Sequence, residues 1–263
     1  MKWFYRIFSL LMALLFAFPL IWMLVVSVKK EGMKIISVVD WFTPPYSLAV
    51  YNEVITGTKL LAWSWNSFFI AVCVTVLTLI IAAMSGFAMS KIPFRFFFIL
   101  AGLLIPGEAT LIPLYQVAKD MEILNTYMGL IFPVLASPFA IIVLKSFFDG
   151  IPNDLLESVQ MDGGGIWRIF INIMLPLTRP ALVSIAILTF IGSWNNFLWP
   201  FLSVTDDNLF TLPMGIPTLM NQYTEDYVKP MVINTVASLP IMVLFLIFER
   251  QIIKGVSLSG IKG

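Results

Sequence analysis

The chain has 263 residues, of which 59% are hydrophobic and 12% charged, and its formal net charge is +1. Ordinary soluble domains carry about 25% charged residues. The composition therefore excludes an ordinary soluble domain and indicates an integral membrane protein. A net charge this small gives no electrostatic basis for a nucleic-acid partner.

Histidine is absent, and cysteine occurs once, as Cys73 within an apolar run. The chain therefore lacks the most common general base and the most common metal ligand, and it cannot form an intrachain disulfide. These counts predict neither a catalytic residue nor a metal site.

Six stretches of the chain have the roughly 20 predominantly apolar residues that a membrane-spanning helix needs. The predicted spans are residues 7–28, 66–90, 96–118, 123–144, 180–203 and 230–250. Their patterning is helical or featureless and lacks the alternation over about 10 residues that marks an outer-membrane barrel. The sequence therefore predicts an all-α integral membrane protein, a single domain of six transmembrane helices over residues 1–263.

The distribution of lysine and arginine predicts the side of the membrane on which each loop lies. With the N-terminus inside, ten of the sixteen basic residues are cytoplasmic: Lys2, Arg6, Lys91, Arg95, Lys145, Arg168, Arg179, Arg250, Lys254 and Lys262. The other six are outside: Lys29, Lys30, Lys34, Lys59, Lys119 and Lys229. The lysines just after the first span oppose this orientation, but the majority favours it. Both termini are then cytoplasmic, as is the loop 150–178 between the fourth and fifth spans.

This loop begins with signals for a helix. Pro152 suits a first turn and Asn153 suits a cap. Asp154 and Glu157 follow in or near the first turn, where the helix dipole favours negative charge.

Three consecutive glycines, Gly163–Gly165, are predicted to stop that helix because glycine readily adopts turn geometry. A second amphipathic stretch, Ile166–Met174, follows and is predicted to end at Pro176. The loop thus reads as helix, glycine turn and helix. These features alone are equally compatible with a solvated connector that has ordinary caps.

The spacing within the loop resembles the EAA motif of importer-type ABC permeases, written E-A-A-x3-G-x9-I-x-L-P. The matching residues are Glu157, Gly163, Ile173, Leu175 and Pro176. Ser158 and Val159 stand in place of the two alanines. Four other stretches look like carbohydrate-uptake permeases, most of all the second permease subunit of maltose-type importers: Pro113–Ile131, Ser146–Ser158, "GSWNNFLWP" at Gly192–Pro200 and the terminal "GVSLSGIKG".

The resemblance implies that the loop forms a coupling helix docked on a cytoplasmic ATPase. Glu157 is the expected charged contact, Gly163 the turn and Asp162 its brace, with Leu155, Leu156 and Met161 as apolar docking residues. Ser158, Val159, Ile173, Leu175 and Pro176 complete the predicted coupling site.

The resemblance also implies the rest of an importer in a bacterial or archaeal cytoplasmic membrane. The expected partners are a second homologous permease forming a heterodimer, two ATPase subunits, an extracytoplasmic sugar-binding protein and membrane lipid. The chain has no G-x-x-x-x-G-K-[S/T] loop. ATP and Mg²⁺ are therefore expected in the partner ATPase, and no cofactor is expected in this chain.

Weaker candidates for the translocation pathway or for binding-protein contact lie elsewhere. Glu108 falls within the third predicted span, and a carboxylate there indicates either a functional or a structural role. The others are Trp194, Asn195, Asn196, Asn221, Gln222 and Tyr223.

Two other classes of protein remain possible from the residues. A stand-alone secondary transporter would need an ionisable relay within the membrane, for which Glu108 is the one candidate. A membrane-embedded enzyme would need paired catalytic groups, which the chain without histidine does not offer. The function that the resemblance implies is ATP-driven import of a sugar, an oligosaccharide above all, by alternating access.

Overall fold

The structure, a computed structural model, describes residues 2–33, 37–91, 99–221 and 227–259. These residues are predominantly helical, as the composition predicts. The main helices are α1 (Lys2–Ser27), α2 (Ala49–Gly57), α3 (Leu60–Lys91), α4 (Leu111–Asp120), α5 (Tyr127–Ile131), α6 (Pro138–Asp149), α7 (Asn153–Met161), α8 (Ile166–Leu177), α9 (Arg179–Trp194), α10 (Leu198–Ser203), α11 (Leu212–Met220) and α12 (Val228–Ser259).

The chain divides into two units, one of which comprises Met1–Trp65 and Thr211–Val243. In this unit a tryptophan ring packs directly on a helix backbone. A Cβ atom added to Gly215 would lie 2.0 Å from the ring of Trp63. Glycine is therefore required at that position of α11, because any side chain would collide with the indole.

The other unit comprises Asn66–Phe210 and Leu244–Gly263. Its core joins α3, α6, α7, α8 and α9 through buried apolar side chains, among them Ala82, Leu144, Phe148, Leu156, Phe170, Met174 and Ile185. Small residues on α3 permit close approach of α6. A Cβ atom on Gly86 would lie 3.1 Å from the backbone nitrogen of Lys145 and 3.3 Å from the carbonyl oxygen of Ile141.

The helix of the second span begins earlier than the sequence predicts. We expected it near Asn66, but α3 begins at Leu60, whose N–H donates to the hydroxyl of Thr58 at 3.2 Å. Asn66 is instead a buried polar junction within α3. Its amide nitrogen donates to the carbonyl oxygens of Asn208 at 2.8 Å and Phe210 at 3.0 Å.

The third predicted span, 96–118, is not one continuous helix. Helical residues end at 103, and Pro106 has extended backbone angles of φ −59° and ψ 131°. A short 3-10 helix, Gly107–Thr110, then precedes α4. Proline disfavours helical geometry in the residue before it and removes a backbone donor. The Pro106-Gly107 pair therefore interrupts the helix that hydrophobicity alone predicts.

The fourth predicted span is bent, because the segment Tyr127–Val134 meets α6 at 48°. The 74° bend between α8 and α9 lies where the loop 150–178 joins the fifth predicted span. The fourth segment begins at Tyr127, four residues later than the predicted start at 123, and ends at Asp149, five residues after the predicted end at 144. In the fifth, α9 ends at Trp194 and the separate helix α10 follows.

Three helices of the described chain are long and apolar enough to cross a membrane: Trp3–Ser27, Leu60–Ser90 and Val228–Glu249. The number rises to five if each bent pair is one span. The chain is thus a multi-pass membrane protein, and the sixth span, over 96–118, remains a prediction.

Candidate functional site

The first helix of the loop 150–178 starts one residue earlier than its capping signals predict. Pro152 is the N-cap and Asn153 is the first helical residue, so the two exchange the roles expected of them. The side chain at the N-cap makes no capping hydrogen bond. Asp154 nevertheless lies in the first turn, where its negative charge interacts favourably with the partial positive charge of the free N–H groups.

The glycine turn depends on two glycines for different reasons. Gly163 has φ +75°, in the left-handed region that glycine adopts without steric cost. Its N–H donates to the carbonyl oxygen of Gln160 at 2.9 Å. Gly164 lies against α7, and a Cβ atom there would be 2.5 Å from Cγ1 of Val159.

Sequence reasoning assigned the turn to Gly163 and overlooked the close packing of Gly164. The signal was the run of three glycines combined with valine at position 159, where the motif has alanine. The larger side chain at 159 is accommodated because position 164 has no side chain.

The two faces of α7 have different surroundings. Leu156 is 5% exposed and belongs to the core of its unit, and Val159 packs against the same core. In the single chain Leu155 is 44% exposed and Met161 88% exposed. Glu157 is exposed as well. The predicted docking residues are therefore divided, with Leu155 and Met161 outward and Leu156 inward.

The two residues that replace the motif alanines also lie on different faces. Val159 faces the core, whereas Ser158 is exposed and its hydroxyl donates to the carbonyl oxygen of Leu155 at 2.9 Å. Asp162 is the exposed C-cap of α7, and its N–H donates to the carbonyl oxygen of Ser158 at 3.1 Å. Asp162 thus closes the helix directly before Gly163.

The second helix of the loop continues beyond the proline that was predicted to end it. It passes through a π-helical stretch, Phe170–Met174, and ends at Leu177. Pro176 is accommodated inside because it lies in the first turn of the α-helical segment that follows the π-helix. Ile173 and Leu175 are partly buried against the core.

The bend after α8 occurs at Thr178, a buried residue whose hydroxyl donates to the carbonyl oxygen of Met174 at 2.8 Å. Phe170 and Met174 fix α8 in the same core that holds α9 through Ile185. A continuous set of buried contacts therefore connects α7 to α9.

The weaker candidates near the end of α9 have separate environments. Trp194 is 3% exposed and stacks on Phe190 with ring centroids 6.0 Å apart. The amide of Asn195 donates to the carbonyl oxygen of Ile191 at 2.9 Å. Asn196 is half-buried and accepts from the N–H of Trp199 at 3.4 Å.

The remaining candidates lie in other segments of the chain. Glu108 is exposed in the 3-10 helix that interrupts the third predicted span. Asn221 is the exposed C-cap of α11 and belongs to the unit that contains α1. Gln222 and Tyr223 lie outside the described residues.

Two lysines of the unit that contains α1 have structural contacts that the sequence did not indicate. Lys229 forms ion pairs with Glu31 at 2.7 Å and Glu53 at 2.8 Å. Lys29 is fully buried, and its Nζ donates to the carbonyl oxygen of Thr43 at 2.5 Å. Nothing in the local sequence marks these partners, because they lie in separate segments of the chain.

The sequence profile of the binding-protein-dependent transport system inner membrane component family matches residues 75–258, well over half of the chain. The arabinooligosaccharide transport system permease protein AraQ of Halalkalibacterium halodurans is 32% identical over 271 residues, covering 100% of this chain and 97% of that protein. The sulfoquinovosyl glycerol transport system permease protein SmoH of Agrobacterium fabrum is 28% identical over 253 residues, covering 94% of this chain and 89% of the other.

A solved structure has the same fold. It is the crystal structure of a bacterial ABC transporter involved in the import of the acidic polysaccharide alginate, with a TM-score of 0.84 at 18% identity. The match covers 95% of this chain and 96% of that one. The resemblance to carbohydrate-uptake ABC permeases is confirmed, and the chain is a transport subunit and not an enzyme. It belongs to the family of binding-protein-dependent transport system inner membrane components.

Proposed function

We propose that this chain is one permease subunit of an ATP-driven importer that moves an oligosaccharide across the cytoplasmic membrane by alternating access. ATP hydrolysis takes place in a separate ATPase, and the segment Glu157–Pro176 couples it to transport. Both termini and this segment lie on the cytoplasmic side, in keeping with the distribution of basic residues.

The division of α7 into two faces carries this proposal. Leu156 and Val159 hold the helix in the core of the chain, while Leu155, Glu157 and Met161 remain accessible. Glu157 and Met161 are four residues apart and therefore lie on the same side of the helix. An exposed apolar side chain next to a carboxylate is suited to a partner with an apolar cleft and a basic rim. A helix held on one face and accessible on the other transmits the movement of that partner.

The transmission follows from packing. Side chains of α7 and α8 share one close-packed core with α6 and α9, so displacement of α7 acts on the neighbouring helices and not on a flexible linker. Such an element has discrete arrangements that a nucleotide-dependent partner favours in turn. ATP and Mg²⁺ belong to that partner, because this chain has no phosphate-binding glycine loop.

The complete importer then comprises this chain, a second related permease, two ATPase subunits and an extracytoplasmic binding protein. A sugar as the transported molecule is supported by the names of AraQ and SmoH, which transport arabinooligosaccharides and sulfoquinovosyl glycerol, respectively.

The test is charge reversal at the coupling helix. Glu157→Arg should abolish co-purification of the ATPase with the tagged chain and reduce the rate of sugar uptake by more than about tenfold. Asp120→Arg, at the exposed end of α4, makes the same charge change outside the coupling segment and should retain both activities. Intact uptake and ATPase recovery in Glu157→Arg would contradict the proposal.

A further inference from the structure

A cavity of about 260 Å³ lies where the bend between α5 and α6 faces α3 and α9. Ser137 and Phe139 line it from the bend, and Thr189, Ser193 and Asn196 line it from α9 and the residue following its C-cap. The space exists partly because position 192 on the same face of α9 is glycine. A Cβ atom there would meet no atom within 4 Å.

Among the polar side chains that line this cavity, the Thr78 hydroxyl already donates to the carbonyl oxygen of Leu135 at 3.3 Å, whereas those of Thr189, Ser193 and Asn196 retain donors. In helices within apolar surroundings, a serine or threonine commonly donates to the carbonyl four residues earlier. Thr75 donates to Ala71 at 2.7 Å, and Ser184, on α9 itself, donates to Pro180 at 2.9 Å.

The hydroxyls of Thr189 and Ser193 make no such bond to any residue in the part of the chain that the structure describes. Positions 189 and 193 are four residues apart and therefore share one face of α9. The Oδ1 atom of Asn196 accepts from the N–H of Trp199, while the amide nitrogen of Asn196 donates to no described residue. Two hydroxyls and one amide thus line one wall of the cavity, and each has a hydrogen-bond donor that no described residue accepts.

The lining also specifies the chemistry of the occupant. All ten lining residues are uncharged, and Phe139 contributes a ring that is 53% exposed. A sugar ring combines hydroxyls for polar donors and acceptors with an apolar C–H face for an aromatic ring. An anionic group would be left without a compensating charge, which is costly away from water.

The size of the cavity favours one ring over a whole oligosaccharide. Pockets for drug-sized ligands span about 300–1,000 Å³, so about 260 Å³ is suited to a smaller unit. The cavity is open to the surface, so the other rings of an oligosaccharide would lie outside it.

We infer that this cavity is a subsite for one ring of an uncharged saccharide, bound by Thr189, Ser193 and Asn196 and stacked on Phe139. The subsite rests on the proposed function, because it would hold the sugar during its passage through the permease. It gives this chain a direct part in selecting the transported molecule and excludes acidic sugars at this point.

Filling the cavity is the first test. Importer complexes purified through a tag on this chain and placed in liposomes with their binding protein would carry Gly192→Trp or the matched control Gly57→Trp. Gly192→Trp should lower the uptake of neutral trisaccharides by at least about tenfold, with binding-protein-stimulated ATP hydrolysis retained. Gly57→Trp should transport normally, because Gly57 is exposed outside the cavity lining and a Cβ atom there meets no atom within 4 Å. Normal uptake by Gly192→Trp would overturn the subsite.

Protection of an introduced thiol is the second test. In a Cys73→Ser background, Ser193→Cys would be labelled with a small thiol reagent in the presence of arabinotriose, maltotriose or trigalacturonate. A neutral trisaccharide should slow labelling severalfold, and the acidic one should not. Ser184→Cys, on the same helix and outside the cavity lining, should label at one rate throughout.

The outcomes separate the subsite from the proposed function. If the wild-type complex imports a neutral sugar but no sugar protects Ser193→Cys, the subsite is wrong and the proposed function stands. Protection by trigalacturonate would overturn the assignment to uncharged sugars. If the wild-type complex neither recovers an ATPase nor imports any sugar, the proposed function fails, and the subsite fails with it.

Discussion

Two regions of this largely apolar chain differ in whether their charged side chains are paired within the chain. Around Lys229, two glutamates from separate segments compensate one lysine whose side chain is 11% exposed. On α7, the carboxylate of Glu157 and the apolar side chains of Leu155 and Met161 are exposed in the single chain. The charges of the first region are compensated within the chain, whereas the exposed groups of the second are accessible to another protein.

The difference gives a physical criterion for reading polar segments of a membrane protein. A charge that stabilises the fold is found with its counter-charge, because an uncompensated charge away from water is costly. A charge retained on the accessible face of a well-anchored helix contributes little to stability. Selection for binding a partner is then the more economical explanation of its presence.

The largest expected effect comes from breaking the turn of the accessible region. Gly163→Pro cannot keep φ +75°, since proline fixes φ near −65°, and it also removes the N–H that donates to Gln160. We expect sugar uptake to fall by about tenfold or more while the chain still inserts into the membrane, since distortion costing about 3 kcal/mol falls on the coupling segment alone.

Uptake and ATP hydrolysis measured in the same vesicles check this outcome. Gly165→Ala is the matched control, because Gly165 has φ −75° and a Cβ atom there would meet no atom within 4 Å. Uptake that survives Gly163→Pro, with hydrolysis still stimulated, would show that this turn does not couple the two.

A neighbouring pair of leucines sharpens the comparison within α7 itself. Leu156→Ala should lower the free energy of unfolding by about 2–5 kcal/mol, because it leaves a cavity in the core. Leu155→Ala should change it by less than about 0.5 kcal/mol but weaken ATPase recovery, because that side chain is accessible. Thermal unfolding in detergent and co-purification measure the two effects. Equal destabilisation by both variants would contradict the two-faced helix.

The smallest effect on coupling to the ATPase is expected from changes to the charges that are paired within the chain. The double variant Glu31→Gln/Glu53→Gln removes both counter-charges of Lys229 and should cost about 1–3 kcal/mol of stability, less than a fully buried pair because both carboxylates are half exposed. ATPase recovery should be unchanged. Asp149→Asn breaks the Lys145–Asp149 pair on α6 and should cost no more than about 0.5 kcal/mol. If Asp149→Asn lowered the stability as much as the double variant does, the two kinds of ion pair would not differ in the way proposed.

The sequence predicted the turn at Gly163 better than it predicted the ends and breaks of the helices. The left-handed φ of Gly163 follows from local backbone chemistry and agrees with the predicted turn. The end at Pro176 was wrong because a π-helical stretch accommodates the proline within α8. The break at Pro106-Gly107 was missed because hydrophobicity measures transfer into lipid, whereas proline acts on backbone geometry.

Composition and local patterning by themselves determined the membrane class and the helical content of this protein, because these depend on apolar runs and on residues close along the chain. The family followed from the resemblance of one loop and four other stretches to known permeases. Tertiary structure alone decided which groups face inward. Asn66 bonds to Asn208, 142 residues away, and Tyr127 donates to the amide oxygen of Asn66 across 61 residues. The inward turn of Leu156, the counter-charges of Lys229 and the unused hydroxyls of Thr189 and Ser193 likewise arise where distant segments meet, and no local pattern encodes that meeting.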